Sequence, residues 1–235
     1  KMLSVCYSDP CLSDFCQGKR PLRIASRNSN LAKAQVHECI SLLRSWYPKL
    51  WFQLSTTETT GDREKKIPLH LVENSYFFTD GVDALVHKGV CDLAIHSAKD
   101  LPETPSLPVV AITRCLHPAD LLVYADHYVH EPLPLSPRLG SSSLRRSAVL
   151  KQLFPQGQIL DIRGTIEERL DQLHRGHYDA IVLAKAASLR LHLHHAYSIE
   201  LPPPYHALQG SLAITAKDHA GKWKQLFTPI HCHSS

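Results

Sequence analysis

The sequence lacks the features that mark several large classes of protein. No apolar run in its 235 residues approaches the roughly 20 residues that span a bilayer. The opening stretch KMLSVCYSDPCLSDF has no apolar segment long enough for a signal peptide. The seven cysteines form no CxxC pair, which argues against a zinc ribbon or a thioredoxin-type site. We therefore expect a cytoplasmic protein without a membrane partner or a metal, whose cysteines are thiols.

An excess of one charge is also missing. Lysine and arginine number 26 against 22 aspartates and glutamates, and this net charge of +4 is too small to indicate nucleic-acid binding. Hydrophobic residues make up 43% and charged residues 20%, which excludes a disordered chain, a collagen-like repeat and a disulfide-stabilised miniprotein. The length suits two α/β domains of about 100 residues each.

Short apolar runs alternate with helical stretches from Pro21 onward, whereas residues 1–20 show no period and are predicted to be a loose leader. The alternation predicts an α/β fold with a mostly parallel sheet that helices cover on both faces. Strands are predicted at 21–26, 52–57, 91–97, 109–114, 158–163, 178–186 and 212–216. Helices are predicted from Leu31 to Pro48, from Phe78 to His87, from Ser142 or Ser143, and after a cap at Thr165.

Two proline-rich segments indicate how the chain divides into domains. HEPLPLSPRLG (130–140) gives a second region an irregular entry, and the prolines at 202–204 mark a return crossing. We expect a discontinuous first domain of residues 21–115 and 211–235, and a second domain of residues 116–210.

Arginines recur where predicted strands end and helices begin. In open α/β sheets, ligands bind outside the carboxyl ends of the strands. Guanidinium groups hold carboxylates through paired hydrogen bonds, and a helix N-terminus adds backbone N–H donors. The pattern predicts a site for a ligand with several carboxylates or phosphates, and the alternative is a scatter of surface arginines. The residues concerned are Arg27, Arg145, Arg146, Arg163, Arg169 and Arg190, with a helix start at Ser142–Ser143.

The segment AIHSAKDLP (94–102) is a second candidate. A strand ends in His-Ser, and Lys99 and Asp100 then lie where the chain turns toward Pro102. An aspartate at such a position can serve as a general acid or stabilise a cation. The alternative is an ordinary turn residue, since aspartate is common in turns.

These segments together resemble one family, the hydroxymethylbilane synthases, also called porphobilinogen deaminases. RIASRNSNLAKAQ is similar to the family's N-terminal strand, turn and helix, and HSAKDLP is similar to its HSxKD[VL]P signature. GSSSLRRSAVL resembles its SSLRR motif, and DIRGTIEERLDQL resembles its RGNxxTRL segment. YDAIVLAKAASLRL and ALQGSLAI follow in the family's order, so that the resemblance covers about residues 21–230.

The resemblance implies a transferase of haem and porphyrin biosynthesis. Such an enzyme condenses four porphobilinogen molecules into the linear tetrapyrrole hydroxymethylbilane and releases ammonia each time. The implied fold is two periplasmic-binding-protein-like α/β domains joined by two crossings, and the implied assembly is a monomer. Asp100 would be the catalytic acid, protonating the leaving amine and stabilising the cationic azafulvene. Cofactor and substrate would be bound by Lys99, Arg27, Ser29, Ser142, Ser143, Arg145, Arg146, Arg163, Gly164, Arg169, Arg190, Gln209 and Gly210.

The sequence departs from the family's pattern in two places. The family primes its reaction on a dipyrromethane cofactor, thioether-linked to a cysteine in a GGC-like loop of a small third domain. This sequence has no GGC, and 25 residues follow Gly210, so a short form without that domain is expected. Cys232, flanked by His231 and His233, is the candidate substitute anchor; the alternative is a terminal cysteine without a role. In ENSYFFTDGVDAL (73–85), Phe78 matches the family's lid loop, but the lysines and glycines of that loop do not recur.

Two functions follow from these observations. The favoured one is a working hydroxymethylbilane synthase, because Asp100 and the arginines are all present. The alternative is a two-domain binding module for carboxylated pyrroles or other polyanions, which could not carry the cofactor.

Overall fold

The computed structural model describes residues 9–67, 69–72, 75–217 and 220–232. The chain divides into two α/β units: unit 1 comprises residues 1–63, 74–115 and 211–235, and unit 2 comprises residues 64–73 and 116–210. Residues 64–73 thus differ from the expectation, since they belong with unit 2. The reason is local, because Lys65 pairs with Glu168 and Arg163 donates a hydrogen bond to the carbonyl of Ile67.

The described chain forms the following strands and α-helices. The strands are β1 (Leu22–Arg27), β2 (Phe52–Thr57), β3 (Leu93–Ser97), β4 (Val109–Ile112), β5 (Asp120–Tyr124), β6 (Arg138–Gly140), β7 (Gln158–Leu160), β8 (Ala180–Ala184), β9 (Ser198–Glu200) and β10 (Leu212–Ala216). The α-helices are α1 (Pro10–Cys16), α2 (Asn30–Arg44), α3 (Thr60–Arg63), α4 (Asp80–His87), α5 (Leu144–Leu153), α6 (Ile166–His174), α7 (Lys185–Arg190) and α8 (Ala220–Phe227).

The two five-stranded sheets share one pattern. Sheet 1 has the order β2-β1-β3-β10-β4, with β1 parallel to β2 and β3, and β10 antiparallel to β3 and β4. Sheet 2 has the order β7-β6-β8-β5-β9, with β6 parallel to β7 and β8, and β5 antiparallel to β8 and β9. This is the periplasmic-binding-protein-like arrangement that the resemblance implies, so the predicted α/β fold class is confirmed. The expected mostly parallel sheet is wrong as to strand pairing, because β10 and β5 each run antiparallel to both of their neighbours.

Each face of sheet 1 has its own apolar core. Side chains alternate between the faces along a strand, so Ile24 packs with α2 and α8 while the neighbouring Ala25 packs with α4. The α2–α8 side includes Val36 and Leu226, both fully buried. Burying one such side chain stabilises the fold by about 1.5–3 kcal/mol.

The N-terminal segment differs from the loose leader that the sequence predicts. Its Cys16 is disulfide-bonded, so the expectation of a thiol is wrong at this position. Asp9 caps α1, its Oδ1 accepting a hydrogen bond from the Cys11 N–H (2.8 Å). Leu12 and Phe15 are buried in the core of unit 1, and the Phe15 ring lies 5.4 Å from that of Trp223. A helix of seven residues is too short to show a period, which explains why the sequence pattern gives no sign of it.

Candidate functional site

The predicted acid Asp100 lies just after the end of β3, on sheet 1. Residues Ala98–Asp100 form a single 3-10 turn, in which Ala98 is buried while Lys99 and Asp100 are half-buried. The backbone N–H of Ala98 donates to the Ser211 carbonyl (3.0 Å), next to β10. The turn therefore presents an aspartate and a lysine at the carboxyl edge of the sheet, as the sequence predicts.

Arg27, the last residue of β1, lies beside Asp100 at this edge. Its Nη1 is 3.8 Å from Asp100 Oδ2, while its Nε and Nη2 both donate to Asp62, which follows β2. The guanidinium also lies over the Phe78 ring, 5.3 Å from its centroid. Asp62 balances the charge of Arg27, so the Asp100 carboxylate can attract a cationic ligand.

Burial and ion pairing act in opposite directions on this group. Burial by itself would lower the pKa of Arg27, but the hydrogen bonds to Asp62 and the charges of Asp100 and Asp62 raise the pKa above its usual value. Burial would likewise raise the pKa of Asp62, and the Arg27 guanidinium, with hydrogen bonds from Thr59, holds it below its usual value. Both side chains are therefore ionised at neutral pH.

The other candidates of unit 1 are Ser29 and Cys232. Ser29 caps α2, its Oγ accepting from the Ala32 N–H (3.1 Å). Cys232 is exposed and its N–H donates to the carbonyl of Ile112, the last residue of β4 (2.8 Å). His231 Nδ1 accepts from the Ile112 N–H (3.0 Å), so the neutral ring with its proton on Nε2 fits this contact. His233 lies outside the described residues.

In unit 2, two predicted arginines converge on a buried carboxylate. Asp120 begins β5, and its side chain is 2% exposed. Arg145 Nη1 donates to its Oδ2 (2.8 Å), and Arg146 donates to its Oδ1 through Nε (3.0 Å) and Nη2 (2.7 Å). Gln209 Nε2 donates to the same Oδ1 (2.9 Å). The structure thus brings Arg145, Arg146 and Gln209 together, with one net positive charge over the cluster.

The charge of Asp120 is maintained by these donors. Burial would raise the pKa of Asp120, but the charge of Arg146 and the hydrogen bonds from Arg146, Arg145 and Gln209 outweigh it and hold the pKa below its usual value. Charge-assisted bonds of this kind are about twice as strong as neutral ones. Asp120 therefore fixes the direction of both guanidinium groups.

Arg163, Gly164 and Arg169 surround the start of α6. Gly164 has φ +114°, and an added Cβ would lie 2.5 Å from Glu168 Oε2, so only glycine fits. Thr165 and Glu168 form a capping box, as the predicted cap at Thr165 requires. Arg169 Nε donates to the Gly164 carbonyl (2.9 Å). These hydrogen bonds join the loop of Arg163 and Gly164 to the first turns of α6, which carry Arg169.

The remaining candidates of unit 2 lie at the ends of β6 and β8. Ser142 Oγ donates to the Ile162 carbonyl (2.6 Å) and accepts from the Ile162 N–H (2.8 Å). Its one proton is thus used within unit 2, and a role of Ser142 in ligand binding stays a prediction. Ser143 precedes α5 and makes no capping hydrogen bond. Arg190 Nη2 donates to the carbonyl of Gly210 (2.8 Å).

Three residues of these clusters are absent from the sequence-based prediction. Asp62, Asp120 and Phe78 each contact a predicted arginine or align it. Phe78 carries a signal in the sequence, since it matches the family's lid loop. Asp62 and Asp120 carry none, because their arginine partners are 25 to 35 residues distant in the chain.

Comparisons with known proteins place the chain. The family model described as "Porphobilinogen deaminase, dipyromethane cofactor binding domain" matches residues 22–225. A probable porphobilinogen deaminase of Chlamydia muridarum (strain MoPn / Nigg) is 53% identical over 226 residues, which cover 96% of this chain and 93% of that one. The chain belongs to the porphobilinogen deaminase family. The predicted identity, a transferase of tetrapyrrole biosynthesis, is confirmed.

Other members of the porphobilinogen deaminase family are longer. The enzyme of Syntrophomonas wolfei subsp. wolfei is 35% identical over 223 residues, which cover 92% of this chain and 72% of that one. Among solved structures, CbnR, a LysR family transcriptional regulator, has a TM-score of 0.54 and 9% identity, covering 96% of this chain and 74% of that chain. At this identity the likeness shows the fold alone.

The dipyrromethane cofactor expected for a porphobilinogen deaminase is confirmed by the matched family model. The matched range includes every predicted site residue except Cys232. A dipyrromethane bears four carboxylates and two pyrrole N–H groups. Guanidinium groups such as those of unit 2 bind carboxylates, and a carboxylate such as Asp100 of unit 1 accepts from pyrrole N–H groups, so the residues of each unit fit the group by their chemistry. In the described residues, no helix is both long and apolar enough to cross a membrane, and no group of three or more potential ligands is arranged for a metal.

Proposed function

We propose that the chain condenses four porphobilinogen molecules head to tail into hydroxymethylbilane, with Asp100 as the catalytic residue. The observation that carries the proposal is the Asp100 carboxylate at the carboxyl end of β3, beside an Arg27 whose charge Asp62 already balances. Family membership supplies the reaction, and this arrangement supports the role of Asp100 in it.

The chemistry requires a negative group at the reacting carbon. The aminomethyl C–N bond breaks, its electron pair leaves with ammonia, and a cationic azafulvene remains. The terminal pyrrole α-carbon then attacks the methylene carbon, and its α-hydrogen leaves as a proton. A carboxylate about 4 Å from such a cation stabilises it by about 4 kcal/mol at an effective dielectric constant of 20, or roughly a thousandfold in rate. Asp100 would supply this term and hold the pyrrole N–H groups.

The arginines would bind the acetate and propionate groups of the pyrroles. Arg145 and Arg146 share one net positive charge after Asp120 is counted, and Arg163, Arg169 and Arg190 are three further guanidinium groups of unit 2. Lys99 would bind a carboxylate beside Asp100, and Ser29 and Ser143 would add hydroxyl groups. Three predicted residues would orient the arginines by accepting hydrogen bonds from them. Gly164 accepts from Arg169, Gln209 accepts from Arg146, and Gly210 accepts from Arg190.

Turnover of porphobilinogen tests this proposal. We expect purified protein to release four ammonia molecules per hydroxymethylbilane. Asp100→Asn should lower kcat about a thousandfold, Asp100→Glu should retain more activity because it keeps the charge, and Asp171→Asn, an exposed change on α6, should have no effect. The protein is first reconstituted with preuroporphyrinogen. Tight binding of porphobilinogen without ammonia release would then establish a binding module instead.

Cys232 is our proposed attachment point for the dipyrromethane. Ser97 pairs with Leu212, and Ala213 pairs with Ile112, to which Cys232 is hydrogen-bonded. Cys232 is therefore at the same edge of sheet 1 as Asp100, about three strand spacings or 14 Å from the end of β3. Intact mass with peptide mapping should find two pyrrole units on Cys232. Cys232→Ser should remove them and Cys115→Ser should retain them; their presence on another cysteine, or on none, contradicts the assignment.

We further propose a cytoplasmic monomer that binds no nucleic acid. The small net charge of +4 supports the absence of nucleic-acid binding. Light scattering coupled to size exclusion should give the mass of one chain, and fractionation should recover the protein with cytoplasmic markers. A dimer mass would contradict the monomer.

A further inference from the structure

The end of β3 is attached to a helix on each face of sheet 1. Successive side chains of a strand point to opposite faces, so His96 and Ser97 leave β3 in opposite directions. Ser97 Oγ accepts a hydrogen bond from Gln35 Nε2 of α2 (2.8 Å). His96 Nε2 lies 3.2 Å from Asp83 Oδ1 of α4. The two residues that precede the Asp100 turn are thus fixed from both sides.

The segment that follows Asp100 returns to the same carboxylate. Ser106 Oγ donates to Asp83 Oδ2 (2.7 Å), so Asp83 holds the chain on both sides of the turn. The side chains of His96 and Asp83 are 3% and 9% exposed. Water cannot readily replace hydrogen bonds at such a place, so each bond matters more than it would at the surface.

Asp100 itself depends on the backbone for its direction. Its ionic neighbour Arg27 lies at 3.8 Å, beyond hydrogen-bond length. The position of the carboxylate therefore depends on where the Ala98–Asp100 turn places the Cα of Asp100. A displacement of about 1 Å at a reacting group costs on the order of a hundredfold in rate. The side chains that hold the turn in place therefore affect the rate of the reaction.

We propose that Gln35, Asp83, His96, Ser97 and Ser106 are positioning residues that hold Asp100 in its reactive place. The inference deepens the proposed function and rests on it. These side chains act through the turn, and none of them has to touch the substrate. Asp83 has the central part, because it binds residues on both sides of the turn.

Serine substitutions test the proposal with little change in packing. Ser97→Ala and Ser106→Ala should each lower kcat about tenfold while KM stays within twofold, because the turn moves but the arginines do not. Ser97→Thr and Ser106→Thr keep a hydroxyl and should restore most of the loss. Ser136→Ala is the matched control, since it removes a serine hydrogen bond to Gln156 in unit 2 and should change neither constant.

Two further measurements separate positioning from general stability. In an Asp100→Asn background, Ser106→Ala should cause no further loss, because the group that it positions is gone; a tenfold loss there as well would overturn the proposal. Amide hydrogen exchange should become faster at Lys99 and Asp100 in Ser106→Ala and stay unchanged in Ser136→Ala. If the parent chain makes no bilane, the proposed function fails, and unchanged exchange at Lys99 and Asp100 overturns the positioning role separately.

Discussion

Replacing Asp120 by asparagine should destabilise unit 2 by about 3 kcal/mol. The carboxylate is 2% exposed and accepts hydrogen bonds from Arg145, Arg146 and Gln209. Removing one partner of a buried ion pair costs about 3–5 kcal/mol, because the other charge stays buried without compensation. The lower end applies here, since Arg145 and Arg146 are 25% and 11% exposed and asparagine keeps one acceptor oxygen.

Urea unfolding followed by circular dichroism at pH 7 measures this loss. Asp171→Asn is the matched control, because Asp171 lies in the same unit, is 55% exposed and pairs with Arg175 one turn later. Such surface pairs contribute about 0–1 kcal/mol, so the control should unfold almost like the parent. A loss below 1 kcal/mol for Asp120→Asn would refute the view that this carboxylate organises the cluster.

The pH dependence of the loss has a definite sign. The pKa of Asp120 is lowered in the fold, whereas an unfolded aspartate titrates near pKa 3.9. Its stabilisation is therefore fully present above about pH 4 and is lost as the pH falls through the lower, folded value. The difference in unfolding free energy between parent and Asp120→Asn should shrink below pH 4. A difference that stays constant to pH 2 would contradict the ionised, hydrogen-bonded carboxylate.

Three other substitutions test local features by urea unfolding. Gly164→Ala should cost about 2 kcal/mol, because φ +114° strains any L residue and the new Cβ meets Glu168; a neutral effect would refute the tight turn. Leu12→Ala should cost about 3 kcal/mol, since the side chain is fully buried, whereas a loose leader would show no change. Ser29→Ala should cost about 1 kcal/mol through loss of the α2 cap, and an unchanged midpoint would exclude that capping role.

The sequence predicted the fold best where elements are long and strongly patterned. The predicted strand at 52–57 coincides with β2, and the predicted strand at 212–216 coincides with β10. The predicted strands do not include β6 or β9, which have three residues each and so show no period. They also omit β5, a buried run that directly follows a polar turn.

The sequence predicted the arginines of the candidate site but not the aspartates that pair with them. Arginines after strand ends are visible along the chain, because the end of a strand is a local feature. Asp62 and Asp120 become partners of Arg27 and Arg146 only when strands distant in sequence meet at one sheet edge. Ser142 shows the same limit, since its contact with Ile162 crosses 20 residues.

The position of β10 in sheet 1 determines the order in which the chain can fold during synthesis. β10 lies between β3 and β4, yet the ribosome makes it only after the whole of unit 2. All five strands of sheet 2 come from residues 120–200. That sheet can therefore form before β10, which pairs with both β3 and β4, has been synthesised. Unpaired strand edges promote aggregation. Unit 1 is thus begun first and completed last, and the edges of β3 and β4 stay unpaired until β10 has been made.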